Sequence, residues 1–182
     1  MRKTNFLNVL FITALLIVSC SKNDTPQVVN EEEVITTLTV ILTPAGGGTA
    51  ITLQSQDLDA DGPNAPDVTV SGPLSAGVVY NGSIALLNET ETPPGNVTEE
   101  VEQESNEHQF FYTVAGLDIT TAYTNFDGNG NPLGTMFTLT TGVAGTGTLT
   151  FTLRHEPTKP NTGLSDAGGE TDITVTFDVT IQ

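Results

Sequence analysis

The chain has 182 residues and is strongly acidic, with 22 Asp and Glu against five Lys and Arg and two His, a formal net charge of −17 at pH 7. Phosphate binding relies on clustered Lys and Arg, so nucleic acid and anionic lipid headgroups are disfavoured partners, while cations or a basic protein face fit the charge. The single cysteine leaves no disulfide to form, so stability must come from an apolar core, which a chain of this length can bury.

The N-terminus has the layout of a secretory signal: Arg2 and Lys3, then the apolar stretch Phe6 to Val18, interrupted by Asn8 and Thr13, then Leu16-Ile17-Val18-Ser19-Cys20. A bilayer-spanning helix needs about 20 apolar residues, so this stretch is not one. It resembles a bacterial lipoprotein signal, in which the cysteine is lipidated and becomes the first mature residue. Residues 1–19 are therefore expected to be removed, and Cys20 to anchor the protein to a membrane. Residues 20–33, polar and ending in Glu31-Glu32-Glu33, read as a flexible acidic tether. Ser21-Lys22-Asn23-Asp24 partly matches the acidic tag that sorts such lipoproteins to the cell surface. Surface display is the expectation, with the periplasmic leaflet as the alternative.

Residues 34–182 read as one all-β domain. Short runs rich in Thr, Val, Ile and Phe alternate between Gly, Pro, Asn and Asp punctuation, which predicts an antiparallel, immunoglobulin-like β-sandwich of about nine strands. In chain order the predicted strands are Leu38 to Leu42, Ala50 to Leu53, Val68 to Ser71, Val78 to Leu87, Gln109 to Val114, Ile119 to Asn125, Thr135 to Thr140, Gly147 to Arg154 and Asp172 to Gln182. In the last, Ile173, Val175, Phe177, Val179 and Ile181 share one face, and Asp172, Thr174, Thr176, Asp178 and Thr180 the other. That strict period of two predicts one buried face and one wet face. Val97 to Glu107 breaks the pattern. Asn96 as a cap, with Glu99 three residues on, predicts a short acidic helix or loop that packs weakly through Val97 and Val101.

No catalytic constellation is present: there is no Gly-x-Ser-x-Gly elbow, no His-Glu-x-x-His pair, no phosphate-binding glycine loop and no tryptophan platform for a sugar ring. An enzyme is not expected. The residues that invite a ligand are the two histidines and their acidic neighbours. Glu100, Glu104 and His108 stand four residues apart and would share one helix face if the helix continued. Glu107 adjoins His108, and Glu156 adjoins His155. His108 opens one predicted strand and His155 closes another, and antiparallel pairing would bring these ends together if the two strands are neighbours, an order the sequence alone does not give. Nitrogen and oxygen ligands of this kind suit zinc or copper. The competing reading is a solvated glutamate run with two unrelated strand-end histidines.

Asp57, Asp59 and Asp61 followed by Gly62 match the first half of a calcium loop. Its twelfth position is Val68, with Asp67 one place early. Asn125-Phe126-Asp127-Gly128-Asn129-Gly130 looks similar, but Asp-Gly and Asn-Gly between strands are accounted for by turn chemistry.

Three segments carry a family resemblance: Glu99 to Glu104 with Glu107-His108-Gln109-Phe110-Phe111-Tyr112, the turn Asp127 to Gly134, and Leu153-Arg154-His155-Glu156-Pro157 with Gly168 to Ile173. They resemble small outer-membrane lipoproteins of flavobacteria, sometimes labelled with a type 1 periplasmic binding fold. The resemblance covers most of Val34 to Gln182 and implies an outer-membrane location and a role beside a TonB-dependent receptor. The alternating strands and helices that the label denotes are not seen in this sequence. The functional expectation is a non-catalytic accessory module that captures a divalent metal or metal-bearing nutrient for such a transporter. The alternative is a structural or adhesive module that binds a protein or glycan without metal.

Overall fold

A computed structural model describes residues 33–59 and 62–182. The signal segment, Cys20, most of the tether and Asp61 lie outside the described residues. Nine strands and two short helices follow in chain order: β1 (Thr37–Pro44), β2 (Ile51–Gln56), β3 (Asp67–Val70), β4 (Val79–Leu87), α1 (Val97–Gln103), β5 (His108–Ala115), β6 (Ile119–Tyr123), β7 (Met136–Thr141), β8 (Gly145–His155), α2 (Leu164–Ala167) and β9 (Glu170–Ile181). All nine predicted strands are present. They form an open antiparallel β-sandwich of a six-stranded sheet, β3-β2-β1-β4-β7-β6, and a three-stranded sheet, β5-β8-β9. Among the described residues no helix is long and apolar enough to cross a membrane.

The period-two pattern sets the core. Leu38, Val40 and Leu42 on β1, with Ile84, Leu86, Phe137 and Leu139 from the same sheet, meet Phe110, Leu149, Phe151, Leu153 and Phe177 of the smaller sheet, all of them buried. Phe151 lies between Phe137 and Phe177, with ring centroids at 5.9 and 6.0 Å in tilted and edge-on arrangements favoured by aromatic quadrupoles. Gly82 on β4 makes the slot for Phe137, since a Cβ there would stand 2.4 Å from the ring.

Helix α1 departs from expectation in two ways. Asn96 makes no capping bond to the backbone, and its side-chain amide donates to the Glu99 carboxylate instead. The helix is also well anchored: Val97 and Val101 are both buried in the core, and the Thr98 hydroxyl accepts from Leu86 N–H and donates to Leu86 C=O. Two apolar residues suffice here because both point inward and a strand edge supplies polar partners. Helix α2, absent from the expectation, is a single turn between two glycines, Gly163 and Gly168.

Candidate metal centre

The paired ends of β5 and β8 hold the two histidines. His108 is directly opposite His155 in the antiparallel register, and the rings stack with centroids 4.5 Å apart. Both are buried, at 0% and 4% exposure. Burying an imidazole pair is costly unless something satisfies the ring nitrogens. What faces them is a pair of carboxylates. His108 Nε2 lies 3.0 Å from Glu33 Oε1 and 3.8 Å from Asp172 Oδ2, and His155 Nδ1 lies 3.8 Å from Asp172 Oδ1 and 4.0 Å from Glu33 Oε2. Ligand atoms of Glu33, His108, His155 and Asp172 all fall within 4.8 Å of one another.

Asp172 reaches this site because β9 is irregular. The β8–β9 register runs Leu153 opposite Ile173 and then Arg154 opposite Thr171, so Asp172 is the extra residue of a β-bulge. A bulge re-aims the side chain it carries. Strict alternation assigned Asp172 to the wet face with Thr174; instead its side chain is fully buried and turned toward the histidines. The neighbouring backbone is shaped to allow this. Gly169 has φ +70°, and a Cβ there would stand 2.2 Å from His155 O, so only glycine lets the loop press against the end of β8. Arg154 secures the same turn from the other face, donating to Gly169 O and Thr171 Oγ1. Glu156, just after His155, has φ +47°, a conformation uncommon for a residue with a side chain and concentrated at functional sites.

The electrostatics suit a cation. Burial draws the His108 pKa down, but the contacts with Glu33 and Asp172 and the Glu104 carbonyl outweigh it and hold it above the ordinary imidazole value. Burial pushes the Glu33 pKa up, and His108 and His155 outweigh that to hold it below the ordinary carboxylate value. His108 Nδ1 lies 3.3 Å from the Glu104 carbonyl, an acceptor only, so Nδ1 carries the proton and Nε2 is turned to the carboxylates. An outer hydrogen bond that fixes the tautomer in this way is usual for a metal-bound imidazole. His155 has both ring nitrogens buried without a hydrogen-bond partner, as is Glu33 Oε2. A zinc ion bound at about 2.0–2.2 Å by four such ligands would hold them about 3.3–3.6 Å apart, between the shortest observed separation of 3.0 Å and the other three of 3.8 to 4.0 Å.

The sequence-derived residues divide. His108 and His155 come together, an arrangement the strand ends allowed and the β5–β8 pairing decides. Glu107 and Glu156 form a second group with His155, both on the surface. Glu100 and Glu104 join neither group among the described residues. Helix α1 ends at Gln103 and His108 opens a strand, so the common helix face does not exist; Glu104 contributes its carbonyl, not its carboxylate. Glu33 and Asp172 were not anticipated. The signal for Asp172 was the Gly168-Gly169 pair ahead of the strand, a mark of close backbone approach; Glu33 had only its place beside the first apolar residue of the domain.

The two calcium-like loops differ from the site. Asp59 accepts from the backbone and side chain of Asn64, and its pKa is lowered first by Asp57 and then by Asn64. Asp67 has left the loop to pair with Gln56 on β2, and no group of three acidic residues forms there among the described residues. In the other loop Asp127 accepts from the backbone N–H groups of Asn129 and Asn131, as turn chemistry requires. Lys159 Nζ supplies its cation at 3.3 Å.

A crevice of about 510 Å³ borders the centre at Glu33 and Asp172, walled by residues 33–36, the end of β2, the start of β3 and residues 172–176 of β9. Glu33 and Asp172 line it, as does Asp57, and among the described residues no basic one does. An acidic channel with low-dielectric walls concentrates cations. Comparison with protein-family models, with curated proteins and with solved structures gives no match to this chain.

Proposed function

We propose that this protein is a non-catalytic lipoprotein that captures a divalent transition metal, zinc or copper, through His108, His155, Asp172 and Glu33, and serves a TonB-dependent transporter in the outer membrane. The observation that carries the metal reading is the buried pair of cross-strand histidines facing two carboxylates, with both nitrogens of His155 and one oxygen of Glu33 lacking hydrogen-bond partners. Two imidazoles and two carboxylates form a nitrogen and oxygen donor set suited to zinc or copper, and calcium prefers six to eight oxygens. The acidic crevice supports an access path for the ion. The lipid anchor and the transporter partnership rest on the Cys20 signal and the family resemblance.

Calorimetric titration of the metal-free protein with zinc, copper and calcium tests the reading. One zinc or copper ion per chain at micromolar affinity or tighter, lost in the His108→Ala/His155→Ala variant, supports it. Transition-metal affinity unchanged in that variant, or none in the wild type, rejects it in favour of the structural or adhesive module.

A further inference from the structure

Three of the four ligands stand on hydrogen-bonded strands of one sheet: His108 on β5, His155 opposite it on β8, and Asp172 in the β9 bulge. Glu33 stands apart. It precedes β1, on the segment leading into the other sheet, and at 10% its side chain is the most exposed of the four. Two imidazoles and one carboxylate on a single sheet can hold an ion and leave coordination positions open. Glu33 also forms part of the crevice wall, so withdrawing its carboxylate would open the ion toward that space.

The crevice has its own chemistry. Its volume of about 510 Å³ falls within the range of small-molecule sites. Ile35, Val68, Ile173 and Val175 give it apolar walls, and Glu33, Asp57 and Asp172 are its ionisable groups. With no lysine or arginine in the lining among the described residues, an anionic head has nothing there to hold it except the bound ion. The body of a ligand should carry no negative charge, and the apolar walls favour an uncharged one.

Resting on the metal reading above, we infer that Glu33 is an exchangeable fourth ligand, and that its position on the ion is taken by the oxygen donor of a small chelating molecule whose uncharged body lies in the crevice. The step is a ligand exchange with no change of oxidation state. The Glu33 carboxylate leaves with its electron pair, the incoming oxygen brings one, and a hydroxamic acid head passes its proton to the released carboxylate or to water. Ion and organic ligand would thus bind in order, the ion first.

Cobalt(II) is the probe, because its visible spectrum reports coordination number and geometry. The cobalt-loaded wild type, Glu33→Ala and Val68→Trp proteins are titrated with acetohydroxamate and octanohydroxamate, and protein-bound cobalt is measured after desalting. Glu33→Ala should hold cobalt within about tenfold of wild type, the low end of what a supporting group contributes, and should bind acetohydroxamate more tightly than wild type does. Octanohydroxamate should bind the wild type at least about tenfold more tightly than acetohydroxamate, because its chain buries apolar surface. Val68→Trp should keep cobalt and lose that chain-length advantage. Cobalt affinity falling more than about a hundredfold in Glu33→Ala, beyond the supporting range, makes Glu33 a fixed ligand and overturns the inference. Equal affinities for the two hydroxamates, an advantage that survives Val68→Trp, or cobalt stripped from the protein overturn it equally and leave the metal reading standing. A wild type that binds no cobalt, zinc or copper removes that reading and the inference with it.

Discussion

Two charged clusters flank the first residue of β5, and the fold satisfies them differently. On one side Asp127 accepts from two backbone N–H groups of its own turn and pairs with Lys159. Lys159 Nζ also donates to the carbonyls of Ser105 and His108, which ties the turn to the end of α1 and the start of β5. On the other side the His108 ring faces Glu33 and Asp172 beside His155, whose two ring nitrogens are buried without hydrogen-bond partners. The first cluster contains its own cation and is structural. The second holds polar atoms at a cost in stability, the mark of a site shaped for something other than stability.

The largest expected effect separates the two. Removing one member of a buried ion pair leaves the other uncompensated, so Lys159→Met should lower stability by about 3 kcal/mol in denaturant titrations and leave zinc affinity unchanged. A loss of affinity of equal size would mean that the clusters act as one network. Zinc should supply what the second cluster lacks: at a free concentration one hundred times its dissociation constant the protein should gain about 2.7 kcal/mol. For a domain of this size that raises Tm by roughly 5 to 11 °C. Calcium at the same concentration should not reproduce the shift.

A smaller effect of opposite sign is expected at His155. Replacing by leucine a buried imidazole whose two nitrogens make no hydrogen bond removes a desolvation cost that its 3.8–4.0 Å contacts with Asp172 and Glu33 only partly offset, so metal-free His155→Leu should be about 1 kcal/mol more stable than wild type. Zinc should no longer stabilise the variant. A clear destabilisation would indicate that His155 already has a structural partner, as Asp127 does.

The smallest effect is the acid dependence of the satisfied cluster. Burial pushes the Asp127 pKa up, but the Asn131 and Asn129 contacts and Lys159 outweigh it, so the folded value lies below the ordinary 3.8. A depressed carboxylate contributes stability that is fully present above the unfolded value and is lost as pH falls through the folded one. Asp127→Asn should therefore lose stability relative to wild type at pH 5, and the gap should narrow as pH falls below 3.8 toward the depressed folded value. A gap that persists in acid would show that the turn depends on the hydrogen bonds rather than on the charge.

Much of this architecture was legible in the residues. Alternation marked β1, β8 and β9, and Thr-, Val- and Phe-rich runs between turn residues located the other strands; the strand ends allowed His108 and His155 to meet, but strand order decided it, and only the β5–β8 register shows it. The acidic half of the centre was not legible. Asp172 sits where a bulge interrupts the alternation that the reading relied on, and Glu33 belongs to a polar run with no periodicity to mark its direction. Glu100 and Glu104 were assigned to a helix face that ends before His108, since a pattern of fours in sequence does not show where a helix stops. Local periodicity therefore finds ligands on regular strands and misses those that depend on an irregularity or a chain entrance.

The most direct measurement is the anomalous diffraction of a crystal of the zinc-loaded protein at the zinc absorption edge. A single strong peak is expected between β5, β8 and β9, about 2.0–2.1 Å from His108 Nε2 and His155 Nδ1 and about 2.0–2.2 Å from oxygens of Asp172 and Glu33. Zinc found only on surface carboxylates such as Glu107 and Glu156, with the histidine pair empty, would contradict the account.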